Sequence, residues 1–369
     1  MVSVHVDPRP AGRRPPASVA GDATRGGAVA ACVAGGRAAG RRRTVAVVAI
    51  VGVVVLAAAA AALLLGAAGL TPADVVAGLT GQGDPKTNLV LYRLRLPRVV
   101  AALIAGAGLG LGGALFQATL RNPLASPDLL GVTGGASLAA VAAILVGGLS
   151  GPVVSLAAFA GALAVAGLIW ALAWRGGLTG IRFVLVGIGM ASIVSGLLGW
   201  LITRAELREA SAALVWMVGG IANVPWPELG VAASATAVLA LLTTLLAARM
   251  PLLALDDDTA RGLGLRAARV RGAAILVGVA LVAVATAIAG PVAFVALVAP
   301  PIARALVGRG SAALAASALI GAAIVLVADL VAQHALAGVA VPVGIVTGLI
   351  GAPYLLWLIA RGDRKGTDG

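Results

Sequence analysis

Charged side chains make up only 11% of the 369 residues and aromatic ones 3%. A soluble domain carries about 25% charged residues. A chain that is 60% hydrophobic, with a mean hydropathy of +1.06, has too little polar surface to stay in water. The same numbers exclude disorder over most of the length. Cys32 is the one cysteine, so no intrachain disulfide can form. Histidine is limited to His5 and His334, which leaves too few ligands for a His/Cys metal cluster. Lysine is almost missing as well, with Lys86 and Lys365 the two among 27 basic residues. Lys86 follows Pro85 and Lys365 precedes Gly366, so the Gly-Lys-Ser/Thr of a phosphate-binding loop is absent. ATP hydrolysis through such a loop is therefore excluded, and any ATP dependence must come from a partner. The formal net charge of +13 does not point to nucleic acid, because no polar domain gathers the arginines on one face.

Long uncharged stretches are what the sequence has in abundance. A span needs about 20 apolar residues, and such runs place about ten helices near 44–68, 92–119, 128–147, 152–174, 182–203, 229–249, 269–290, 292–308, 311–333 and 343–361. The break between the third and fourth falls at the turn cluster Gly147-Gly148-Leu149-Ser150-Gly151-Pro152. Residues 210–227, with Pro225 and Pro227, read as an interfacial or re-entrant piece. Residues 1–43, with eight Arg and two Asp, read as a disordered cytoplasmic tail, 44–361 as a membrane domain and 362–369 as a second tail. This is the pattern of an all-α integral membrane protein.

Orientation follows from the basic residues. With both termini cytoplasmic, 21 of the 27 lie on cytoplasmic segments and six outside. Arg98 opens a Gly/Ala-rich span that ends at Asn122-Pro123-Leu124, and Arg269 opens another that ends at Gly290-Pro291. These two spans run in opposite directions, which suggests an inverted internal repeat of the kind transporters use. Glycine, at 51 residues, is about twice its usual share, as close helix packing requires.

Three places could carry function. Asp329 is the one acid in the middle of a span, readable as a proton or cation site or as a structural acid bonded to a neighbouring helix. The loop 249–271 holds Leu255-Asp256-Asp257-Asp258-Thr259-Ala260-Arg261-Gly262-Leu263-Gly264, in which an aspartate can cap a short helix and a glycine can end it. Its amphipathic pattern, beside five arginines, suits a groove of another protein. Arg95 and Arg98, in Arg95-Leu96-Pro97-Arg98, run against the positive-inside trend, either as interfacial snorkelling residues or as docking points for acidic groups of an external protein.

The motifs Arg95-Leu96-Pro97-Arg98, Gly113-Ala114-Leu115-Phe116-Gln117 and Asn122-Pro123-Leu124-Ala125-Ser126-Pro127-Asp128-Leu129-Leu130-Gly131-Val132 resemble the FecCD family of permeases. These serve ABC importers of ferric siderophores, haem and cobalamin. The second half agrees, through Asp258-Thr259-Ala260-Arg261-Gly262-Leu263-Gly264, Ala289-Gly290-Pro291-Val292-Ala293-Phe294, Ala328-Asp329-Leu330, Pro342-Val343-Gly344-Ile345-Val346-Thr347 and Gly351-Ala352-Pro353. Trp216 and Gly219-Gly220 match the mid-chain segment. The resemblance implies the type II ABC importer permease fold, ten helices per subunit and a dimer with a second permease subunit. It also implies two cytoplasmic ABC ATPase subunits, which bind ATP and Mg, and an extracytoplasmic substrate-binding protein.

By that likeness, Asp257, Asp258, Thr259, Ala260, Arg261, Gly262, Leu263 and Gly264 belong to coupling helices at about 255–268 that meet the ATPase. Arg95 and Arg98 receive acidic residues of the binding protein, and Asn122 and Leu124 fall at a cytoplasmic gate. The chain departs from the family pattern at Gln333, where an arginine is usual, at Pro301 in place of histidine, and at Asp256 in place of glycine. The expected activity is ATP-driven import of a ferric siderophore by alternating access across the cytoplasmic membrane, with no covalent chemistry in this subunit. Haem or cobalamin import, or an ion-gradient carrier using Asp329, are the alternatives.

Overall fold

The structure, a computed structural model, describes residues 20–66, 69–174, 180–222, 224–255, 257–308, 311–335 and 341–363. The chain divides into two units, Met1–Arg43 and Thr44–Gly369. Among the described residues it is entirely helical: α1 (Ala20–Leu64), α2 (Pro72–Leu79), α3 (Pro85–Leu89), α4 (Leu96–Leu120), α5 (Val132–Leu145), α6 (Pro152–Ala173), α7 (Gly180–Arg204), α8 (Leu207–Val218), α9 (Trp226–Ala247), α10 (Asp257–Gly262), α11 (Ala267–Ala289), α12 (Val295–Val307), α13 (Ser311–His334) and α14 (Val343–Asp363). Seven stretches are long and apolar enough to cross a membrane, and the shorter apolar helices Val132–Leu145, Val295–Val307 and Val343–Trp357 accompany them. These seven and the three shorter helices fall at the ten positions expected from the sequence.

Two details differ from the sequence reading. Helix α1 begins at Ala20, so the second half of the segment expected to be disordered is helical. Its alanine content favours that state. Residues 1–19 lie outside the described residues, as do 364–369 of the C-terminal tail. The second span starts earlier than residue 92. A π-helical turn, Val90–Arg95, joins α3 to α4 and gives a continuous run Pro85–Leu120. The Trp226 indole N–H donates to the Tyr92 carbonyl at 2.7 Å and anchors that turn. Asp84 caps α3 by accepting from the Thr87 amide at 3.0 Å, which fixes the entry of the chain ahead of Arg95 and Arg98.

Helix α4 is the centre of the bundle, with 17 of its 25 residues buried. Its glycines supply the reason. A Cβ on Gly106 would meet the backbone of Gly321 and Ala322, and one on Gly110 would overlap the Ser317 carbonyl. On another face, a Cβ on Gly108 would stand 3.1 Å from the Leu281 carbonyl oxygen, and one on Gly112 would stand 2.9 Å from that of Gly278. Gly113 leaves no room for a side chain against Ala296. Three neighbours, α13, α11 and α12, thus touch α4 backbone to backbone. The pairing of Gly108 with Leu281 and of Gly112 with Gly278 makes α4 and α11 antiparallel, as the internal echo demands. Gly110→Val should lower thermal stability in detergent by about 1–3 kcal/mol or more, whereas Gly196→Val on α7, where a Cβ meets open space, should be nearly neutral. Equal effects at the two sites would overturn this packing account.

Candidate functional site

The functional side chains gather at the two ends of α4. At the Arg98 end, the guanidinium grips Asp329 of α13. Nε lies 3.0 and 2.9 Å from the two carboxylate oxygens, and Nη2 lies 2.8 Å from Oδ1. The Gln333 amide donates to Oδ2 at 2.8 Å. Asp329 is 1% exposed, so its charge is tolerable only because it is paired and fully bonded. The structural reading of this acid is the one the geometry favours. Arg98 keeps a side-chain exposure of 20%. Arg95, one turn away, donates to the Leu63 carbonyl. Arg95, Arg98, Asp329 and Gln333 line one cavity of about 420 Å³, together with Ala62 and Val99. The two arginines read from sequence as docking points are therefore neighbours in one cavity, and both already hold internal partners.

Away from those ends, three motifs meet through their backbones. A Cβ on Gly219 (φ +77°) would stand 2.5 Å from the Pro291 carbonyl oxygen, and one on Gly290 (φ +65°) would stand 2.8 Å from that of Trp216. Gly344 faces the Val218 carbonyl with no space for a side chain, and the Gly220 amide donates to Ala289 at 2.8 Å. The end of α8, the α11–α12 break and the start of α14 are thereby locked together.

At the Arg121 end, Pro300 and Pro301 sit inside α12. Neither has an N–H, so the carbonyls of Ala296 and Leu297 lose their helical donors. Gln117 replaces one of them. Its amide donates to the Leu297 carbonyl at 3.0 Å, and its Oε1 accepts from Arg304 Nη2 at 2.6 Å. Gln117 is 4% exposed, so this network is internal. The sequence offered the clue in the Pro-Pro pair, whose two orphaned carbonyls require partners.

Arg121 ends α4 in the left-handed conformation (φ 52°, ψ 31°). Its Nε donates to the Leu253 carbonyl at 2.8 Å, and its Nη2 donates to the Leu253 and Leu255 carbonyls. These carbonyls immediately precede α10. Asn122 then makes a side-chain turn, accepting from the Leu124 amide at 2.9 Å. In α10, Ala260 is buried, and just beyond it Leu263 is 61% exposed and Gly264 turns the chain at φ +79°. Thr259 and Gly262 are exposed. Asp256 and the side chains of Asp257, Asp258 and Arg261 lie outside the described residues. The carboxylate oxygens of Asp128, in the α4–α5 turn, are buried without a hydrogen-bond partner. Burial pushes this carboxyl up from 3.8 to about 6, while Thr133 pulls the other way more weakly.

Seven helices long and apolar enough to cross a membrane, with three shorter apolar ones, packed around a glycine-lined central helix that has a paired acid at one end and a main-chain clamp at the other, describe a polytopic membrane permease. The chain belongs to the FecCD transport family, whose profile matches residues 44–361. It is 38% identical over 300 residues to the ferric enterobactin transport system permease protein FepG of Escherichia coli K12, covering 81% of this chain and 91% of that one. Identity is 37% over 295 residues to the achromobactin permease CbrC of Dickeya dadantii, with 79% and 84% covered. It is 36% over 293 residues to the vitamin B12 permease BtuC of Escherichia coli O157:H7, with 76% and 86% covered. A solved structure described as an inward-facing conformation of a metal-chelate type ABC transporter superposes with a TM-score of 0.76 at 27% identity, covering 84% of this chain and 97% of the other. The protein is thus a permease of the siderophore/B12 type of ABC importer.

Gln117→Leu should cost about 1–3 kcal/mol by leaving the Leu297 carbonyl and Arg304 without that partner. Adding Pro301→Ala restores a backbone donor to Leu297 and should recover part of the loss. A loss of equal size in both backgrounds would refute the network. For Asp128, a folded-state value raised above the unfolded one means stability falls as pH rises from about 3.8 towards about 6. Asp128→Asn should therefore unfold at a higher temperature than the native chain at pH 7 and at the same temperature near pH 3.5.

Proposed function

We propose that the protein translocates a ferric siderophore across the cytoplasmic membrane, driven by ATP hydrolysis in a separate subunit. The observation that carries this reading is the tie between Arg121 and the main chain just ahead of α10. Residues 257–264 form the coupling segment, seated on an ABC ATPase that binds ATP and Mg. A displacement of that segment is passed by Arg121 to the end of α4. Since α4 is wedged backbone to backbone among three helices, the block moves with it. A second permease subunit completes the pathway, and the turn at Asn122 and Leu124 lies where the cytoplasmic gate is expected. Both termini are cytoplasmic, in keeping with 21 of 27 basic residues on that side.

At the opposite end, Arg95 and Arg98 receive acidic side chains of an extracytoplasmic binding protein. Asp329 fixes the Arg98 guanidinium, Gln333 bonds the same carboxylate, and Gln333 in place of an arginine removes one docking charge. Siderophore cargo is supported by the relatives for ferric enterobactin and achromobactin, at 38% and 37% identity, with the vitamin B12 permease at 36%. The carrier reading of Asp329 has no support from its geometry, because the carboxylate is committed to Arg98 and Gln333.

The test is transport into vesicles containing this chain, its ATPase and its binding protein. Ferric siderophore should accumulate with ATP, and cobalamin should not. Accumulation with a catalytically dead ATPase would sink the proposal. Arg121→Ala should lower uptake at least tenfold while the ATPase subunits still bind and hydrolyse ATP, because the segment loses its hold on α4. Unchanged uptake per ATP would remove Arg121 from the coupling path.

A further inference from the structure

A second cavity, of about 610 Å³, opens between α6 and α11 at the end of the bundle that carries α10. Trp170, Trp174, Gly272, Leu276 and Val279 line it, with Arg269 at its mouth. The two indoles stack with centroids 5.5 Å apart and planes inclined by 23°. Gly272 makes room for them, since a Cβ there would stand 2.7 Å from the Trp170 ring. Leu276 is 64% exposed and Trp174 45% exposed, so the groove is open along an apolar flank. Arg269 is exposed in the first turn of α11, where the helix dipole adds to its positive charge. No acidic residue lines the groove, and neither indole N–H donates to a protein group among the described residues.

We propose that this groove binds an anionic phospholipid, with its phosphate at Arg269 and an acyl chain along Trp170, Leu276 and Val279. Paired tryptophans beside an arginine are the side chains that settle at the boundary between headgroups and hydrocarbon. The indole N–H groups face a layer rich in ester and phosphate acceptors, which is how buried or half-buried tryptophans are ordinarily satisfied. A neutral lipid would fill the apolar part equally well but would leave the Arg269 charge without a counter-charge. One arginine near an anionic surface is worth about 1 kcal/mol, a preference of about fivefold. A second copy of this chain, or a partner helix, would fill the apolar flank without answering the cation.

The full-length protein in phosphatidylcholine nanodiscs provides the test, with tryptophan fluorescence as the readout. Phosphatidylglycerol or phosphatidylcholine brominated in the acyl chain is titrated in over the same range of mole fractions. Brominated phosphatidylglycerol should reach half-maximal quenching at about one-fifth the fraction that brominated phosphatidylcholine needs. Arg269→Gln should abolish the difference while leaving the quenching by brominated phosphatidylcholine unchanged. Trp170→Phe with Trp174→Phe should remove the tight component, since the remaining four of the six tryptophans lie elsewhere. Equal quenching by both lipids in the native chain overturns the proposal. So does a preference that survives Arg269→Gln, and so does quenching by neither lipid, which would mean that protein covers the groove.

Discussion

Where α4 passes Ser317 and Ala296, the carbonyl oxygens of α13 and α12 occupy the space that side chains would take. In a bilayer, lipid tails solvate leucine as well as a neighbouring helix does, so helices associate by close packing and polar contacts rather than by a hydrophobic gain. Small residues are the means of that packing. Each of the five glycines from Gly106 to Gly113 costs α4 roughly 1 kcal/mol of helix propensity relative to alanine. The close approach of three helices offsets that cost. The ion pair, the glutamine network and the arginine clamp all depend on where α4 is held.

Polar groups are placed with the same economy. Arg98 with Asp329 adds no net charge to the bundle, and Gln333 satisfies a remaining acceptor. Gln117 is bonded on both sides of its amide, to a carbonyl that proline has orphaned and to a guanidinium. Asp128 is the exception, a fully buried carboxyl whose raised value follows from that burial, with Thr133 opposing it only weakly.

The spans were legible because apolar run length is a direct physical requirement of a bilayer. The fourth, expected over 152–174, is observed at Pro152–Ala173. Boundaries failed where polar residues are helical: Lys86 and Asn88 disguise the first turns of the second span, and Thr71 and Asp74 form a capping box on α2 that run length does not see. The third span begins at Val132 rather than 128 because Gly131, at φ +80°, caps it after a turn. The partners of Asp329 and Gln117 were not legible. Arg98 lies 231 positions from Asp329, and no local period encodes such a pairing. The glycine motifs were visible as family signatures, but only the fold shows that Gly219, Gly290 and Gly344 belong to one junction.

Arg121 addresses carbonyl oxygens, and every residue at 253 and 255 would present the same ones. The clamp is therefore blind to side-chain identity in the segment it holds. Under the proposed coupling, side chains of α10 can be exchanged to suit a different ATPase without loosening the link to α4. On that proposal, transmission and partner recognition are separable properties of adjacent residues, and a chimaera that swaps only α10 keeps the Arg121 clamp.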